Sequence, residues 1–319
     1  MILMPEVLTI LILNAIFALF AIIAFVLSIK IFLKWDLSST SKSQYKLEKQ
    51  SFLTATIIKY IFVIKVPLFL FFIFTLDKIS TVLTGAMCAA GVVDATQYGT
   101  YLLILKIINI YMFAFWLVLH SVDMKYENQP FTKTKFGLFI LAFFPFIIEL
   151  IIEVVMFSAI DVSKMVSCCG TLYSSSSTSY ISNIFSIETP LLLSMFYGNF
   201  FLIVLFYFFK NRYLYAVANI FFVIISLISL IVFFGTYIYE LPTHHCPFCF
   251  LQKDYFYVGY IIYIFLFIGT FRALIVGFVE LYPKDKDKNY KISMLFNFLY
   301  VILVSAYPAI YYIKNGVWL

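Results

Sequence analysis

The sequence predicts an all-α fold, a polytopic helical bundle that crosses a membrane about eight times. Composition, the length of the apolar runs and the one-sided placement of Lys and Arg carry that prediction. Of 319 residues, 64% are hydrophobic and 12% charged, whereas soluble domains run near about 45–50% apolar and about 25% charged. So few polar side chains cannot cover a folded surface, and lipid must solvate much of it. The frequent Phe and Tyr suit lipid-facing bands and interfacial belts.

A bilayer crossing needs about 20 apolar residues. Runs of that length fall near 7–33, 52–76, 97–120, 135–160, 188–209, 213–238, 255–280 and 292–313. Met1 to Val7 carries no basic stretch and the first run is too long for a signal peptide, so it is expected to stay as the first span. The connections are too short to bury a core of their own, and no internal repeat is evident. The chain therefore reads as one integral-membrane domain, 1–319, with five spans in 1–210 and three in 211–319.

Orientation follows from the basic residues. Lys30, Lys34, Lys42, Lys46 and Lys49 form one cluster, and Lys125, Lys133 and Lys135 a second. Lys210 with Arg212, and Lys284, Lys286, Lys288 and Lys291, complete the set. All four fall in alternate connections. The opposite side has only scattered Lys78, Lys164, Lys253 and Lys314. The basic side is expected to be cytoplasmic, with both termini outside, in a bacterial inner (cytoplasmic) membrane. The formal charge of +6 is then a matter of membrane sidedness, so the lipid bilayer is the expected partner and nucleic acid is not.

The five cysteines all fall on the predicted outer side: Cys88, Cys168, Cys169, Cys246 and Cys249. Cysteines used only as small hydrophobes would scatter through the spans. On an oxidising face they form disulfides, exchange them or bind metal. Cys168 and Cys169 lie in the longest connection, 161–187, beside the polar tract Tyr173 to Ser179, which gives them room to move. A bond between neighbours would close a strained ring, so Cys88 with one of them is the expected second pair.

The stretch His244-His245-Cys246-Pro247-Phe248-Cys249 is a CxxC turn between apolar runs. At the start of a helix a thiolate is supported by unpaired N–H groups and the helix dipole. Pro247 restricts the ring between the thiols, and His244 and His245, if protonated, favour the Cys246 thiolate. Such a pair can exchange disulfides. It can equally be a static disulfide. With imidazoles attached, His244, His245, Cys246 and Cys249 form a ligand set for Cu or Zn. The His residues precede the pair, so it is not a c-type haem site.

The run Cys246-Pro247-Phe248-Cys249-Phe250-Leu251-Gln252-Lys253 resembles the thiol turn of the disulfide bond formation protein B family, within the last hundred residues. The resemblance implies a membrane thiol–disulfide oxidoreductase linked to a quinone and serving a thioredoxin-like periplasmic protein. Cys246 and Cys249 would be its redox pair, with Gln252 and Lys253 near the quinone head. Lys253 stands where that family has Arg and lacks the planar fork. The order of the other cysteines, all before the turn, is similar to the vitamin K epoxide reductase family. On either pattern Cys88, Cys168 and Cys169 are candidates to exchange with the turn.

Ions inside the spans are the remaining signal. Glu149 and Glu153, four apart, share a helix face, and Lys106 lies mid-span. Buried ions pair or serve transport or proton movement, so a Lys106–Glu149 or Lys106–Glu153 pair and a proton path are both open. Lys65, Asp94 and Arg272 are expected nearer span ends, where long side chains snorkel. His120 has no assigned role.

Overall fold

The computed structural model describes residues 2–36, 39, 41–86, 88–162, 166, 187–279 and 283–319, without the side chains of 283 and 284. The described residues contain helices and no strand. In chain order these are α1 (Pro5–Lys34), α2 (Lys42–Ser80), the short α3 (Ala89–Asp94), α4 (Gly99–Asp123), α5 (Thr132–Ala159) and α6 (Thr189–Phe208). There follow α7 (Arg212–Tyr239), α8 (Val258–Phe278) and α9 (Pro283–Asn315). Among the described residues eight of these helices are long and apolar enough to cross a membrane, matching the eight runs. The chain is a multi-pass membrane protein.

Local chemistry sets several helix starts. Pro5 occupies the first turn of α1, where no N–H is needed. Ser41 caps α2 by accepting the Gln44 N–H at 3.3 Å, and Asn211 caps α7 by accepting that of Leu214 at 3.2 Å. The Ser41 cap starts α2 ten residues before its apolar run. The helix thus has a polar first third.

The helices divide into two compact units, residues 1–84 with 92–164 and residues 85–91 with 165–319. In the first, α1 packs on α2 and α5, and α4 packs on the same two, so the four helices close a ring. Its centre holds Phe62 stacked on Phe113 at 4.2 Å, with Trp116 edge-on to Phe62 at 5.5 Å. In the second, α7 lies between α6 and α8, α8 meets α9, and a thinner contact from α9 to α6 closes that ring. Gly277 lets α7 and α8 approach: a Cβ there would lie 2.4 Å from the Ala216 Cβ.

Polarity is inverted relative to a soluble bundle. Leu19, Val26, Leu33, Leu141 and Phe201 are exposed, while Asn14, Lys106, Glu149, Glu153, Asn219 and Asn297 are buried. That arrangement leaves apolar side chains for lipid and pairs the polar ones inside. Lys106 bridges both candidate carboxylates, Glu149 at 2.8 Å and Glu153 at 3.0 Å. Lys65 does not snorkel. It sits well inside the extended α2, is 5% exposed, and donates to Glu149 at 2.9 Å and to Asn14 Oδ1 at 3.1 Å.

Candidate functional site

The cysteine turn begins where α7 stops. Glu240 takes a left-handed conformation (φ 54°), and Pro242 then prevents the helix from resuming. Within α7, residues Leu230–Phe234 form a π turn. His245 reaches back to it, with Nδ1 3.0 Å from the Ile231 carbonyl oxygen.

Two tyrosine hydroxyls hold the turn. Tyr239, the last residue of α7, donates to the Cys246 carbonyl and accepts the Phe250 N–H at 3.1 Å. Tyr263 of α8 donates to the Pro247 carbonyl at 2.8 Å. Phe250 is buried against Gly259, where an added Cβ would come within 2.3 Å of its ring. The backbone around Cys246 is therefore held from both sides by tyrosine hydroxyls.

This scaffold brings Cys246 to Cys88, which stands just before α3. Their sulfurs are 3.4 Å apart, against about 2.05 Å for a formed disulfide. The Phe248 N–H donates to the Cys246 sulfur at 3.4 Å. The sulfurs of Cys88, Cys246 and Cys249 all lie within 4.8 Å of one another. All three residues belong to the second unit and are buried, at 0%, 1% and 7% exposure. Burial, and after it the neighbouring Cys249, Asp254 and Cys246, hold the Tyr255 phenol above its usual range.

The sequence-predicted residues fare unevenly. Cys88, Cys246 and Cys249 come together, which brings one of the three candidates for exchange to the turn; the expected second pair joins Cys88 to Cys168 or Cys169. Those two lie outside the described residues. The turn does not open a transmembrane helix: Cys249 starts a three-residue 3-10 turn, Cys249–Leu251, and α8 begins only at Val258. Extended Gln252 (ψ 165°) and left-handed Phe256 and Tyr257 break the chain between them, so a long helix dipole does not support the sulfurs. His244 packs edge-on to Tyr239 at 4.3 Å, and neither imidazole belongs to the group within 4.8 Å. Gln252 is half-buried, with its carbonyl accepting from the N–H groups of Tyr255 and Tyr257 at 3.2 Å. Lys253 is exposed.

Tyr239 and Tyr263 were missed. Both look in sequence like members of an interfacial aromatic belt, and no spacing rule links them to the thiols.

Three buried sulfurs at this spacing can pass a disulfide among themselves or hold a soft metal ion in a trigonal thiolate set. No protein-family model, curated protein or solved structure matches the chain.

Proposed function

We propose that the protein is a membrane thiol–disulfide oxidoreductase whose exchanging sulfur is Cys246. The observation that supports this is the position of Cys246, with the Cys88 sulfur at 3.4 Å and its CxxC partner Cys249 in the same group. A sulfur with two neighbours can leave one disulfide for another without large motion. In the oxidising direction, a quinone takes two electrons and two protons from a thiol pair of the group and becomes the quinol. A partner protein's thiolate then attacks the resulting disulfide, its second thiol resolves the mixed disulfide, and the group returns to dithiol as the partner becomes oxidised. Gln252 and Lys253 lie next to the turn, where the quinone head belongs on this reading. On this reading the Lys- and Arg-rich side faces the cytoplasm, the turn and both termini face outward from a bacterial inner membrane, and the partner class is a thioredoxin-like periplasmic protein.

The test is to leave Cys246 alone in the group with Cys88→Ala/Cys249→Ala, expressed in cells. A reductant-sensitive adduct with a soluble protein is expected, formed in the reverse direction by attack of the Cys246 thiolate on the oxidised partner's disulfide with release of one partner thiol, and it disappears when Cys246→Ala is added. Absence of any adduct defeats the reading.

A second reading has its own support, because three sulfurs within 4.8 Å also suit Cu(I) or Zn. On that reading the protein handles metal on the outer face or assists assembly of a metalloenzyme there. Copper or zinc bound stoichiometrically to the wild-type protein, with no adduct from the double variant, would favour it.

A further inference from the structure

The first unit carries a group of buried ions that sulfur chemistry does not use. Each long helix contributes: Asn14 from α1, Lys65 from α2, Lys106 and Asn109 from α4, Glu149 and Glu153 from α5. The four charged side chains are at most 6% exposed. Two ammonium groups and two carboxylates leave the group formally neutral.

The two carboxylates are not equivalent. Glu149 is fully engaged: Oε1 accepts from Lys65 at 2.9 Å and Lys106 at 2.8 Å, and Oε2 accepts from Asn109 at 2.6 Å. Glu153 is engaged on one side only. Its Oε2 accepts from Lys106 at 3.0 Å and Asn14 at 2.8 Å, while its buried Oε1 meets no hydrogen-bond partner among the described residues. Glu153 also lines a cavity of about 10 Å³, together with Lys65, Lys106, Glu149 and the rings of Phe72 and Phe113. That is room for about one water molecule.

A purely structural ion cluster gains by pairing every oxygen, because an unpaired buried acceptor is costly. Here a residue that lines a space the size of water leaves one oxygen without a hydrogen-bond partner among the described residues. We propose that Glu153 is a proton-binding site that exchanges a proton with a water held in this cavity. The step is carboxylate plus hydronium giving carboxylic acid plus water, with the new O–H on Oε1, and nothing is oxidised or reduced. Lys106 and Asn14 hold Oε2 throughout, so the side chain keeps its place. The loaded group carries one net positive charge and returns to neutral when the proton leaves. A buried carboxylate that changes charge in this way is what proton movement through a membrane protein requires. The site lies in the first unit and does not rest on the sulfur reading.

Infrared spectroscopy of the full-length protein in liposomes tests it, with spectra taken at stepped pH in H2O and D2O. The wild type is expected to show a protonated-carboxyl C=O band that grows as pH falls and shifts in D2O. The Glu153→Gln variant, which keeps the shape and loses the acid, is expected to lose the part of that band contributed by Glu153. Identical difference spectra for wild type and Glu153→Gln overturn the proposal. Should Glu153→Gln not fold, Glu153→Asp keeps an acid one methylene shorter and is expected to move the band. A band unmoved by Glu153→Asp overturns it equally.

Discussion

Cys88 and Cys246 lie 158 residues apart in the chain and bring their sulfurs to 3.4 Å. Closing that contact to a disulfide takes an oxidant and an approach of the sulfurs to about 2.05 Å. The reduced full-length protein, treated with one equivalent of a mild thiol oxidant, is therefore expected to yield a Cys88–Cys246 cross-linked peptide on digestion without reductant. In Cys88→Ser the link should move to Cys246–Cys249. If Cys88 remains fully alkylatable after oxidation, the contact does not support exchange.

Most of the fold was legible in the sequence, because lipid imposes a length and polarity that a run of about 20 residues declares by itself. The site was legible in part. Cys246 and Cys249 announce themselves by spacing, whereas the arrival of Cys88 beside them depends on tertiary placement that no local pattern encodes. The same limit explains Lys65. It already lies midway along its apolar run, 52–76, and only the packed bundle shows Lys65 meeting Glu149. Asn14 and Asn109 did leave a signal, as amides inside apolar runs, where a polar group needs a buried partner.

The sulfur group is also expected to bind a soft metal ion when fully reduced. One equivalent of Cu(I) or Zn per chain is expected, with Cys88→Ser, Cys246→Ser and Cys249→Ser each weakening binding by at least about tenfold through loss of a thiolate ligand. Because thiols must lose protons to bind, affinity should fall as pH falls. Unchanged affinity in Cys88→Ser would remove Cys88 from the ligand set.

Tyr239 fixes the turn through two bonds to its hydroxyl, and Tyr263 through one. Tyr239→Phe leaves the Phe250 N–H and the Cys246 carbonyl without that partner in a buried site, a loss of about 1–3 kcal/mol. Tyr263→Phe should cost less, about 0.5–1.5 kcal/mol. The same order is expected for the alkylation rate of Cys246, fastest in Tyr239→Phe. Equal rates in both variants and wild type would mean that the hydroxyls do not restrain the turn.

Orientation can be read from two exposed positions. Glu48 lies in the Lys-rich polar start of α2, and Phe256, 91% exposed, lies just after the cysteine turn. A membrane-impermeant thiol reagent applied to intact spheroplasts should label Phe256→Cys and leave Glu48→Cys unlabelled until the membrane is broken. The opposite pattern would invert the orientation and place the cysteine turn on the cytoplasmic side.

Lys106 touches both carboxylates of the first unit, but the two do not depend on it equally. Glu149 also has Lys65 at 2.9 Å, whereas the other partner of Glu153 is the neutral amide of Asn14. Lys106→Leu alone should therefore destabilise by about 3–5 kcal/mol, the range for breaking a buried ion pair from one side, and the uncompensated charge should fall mainly on Glu153. Adding Glu153→Leu removes that charge and leaves Lys65 with Glu149 as a complete pair, so much of the loss should be recovered. Adding Glu149→Leu instead leaves Lys65 about the remaining Glu153 without the direct contact it had, and recovery should be smaller. Thermal unfolding of the two double variants in detergent measures the difference. Equal recovery would mean that Lys65 does not hold Glu149, and no recovery in either would mean that the carboxylates are not neutralised by Lys106 at all.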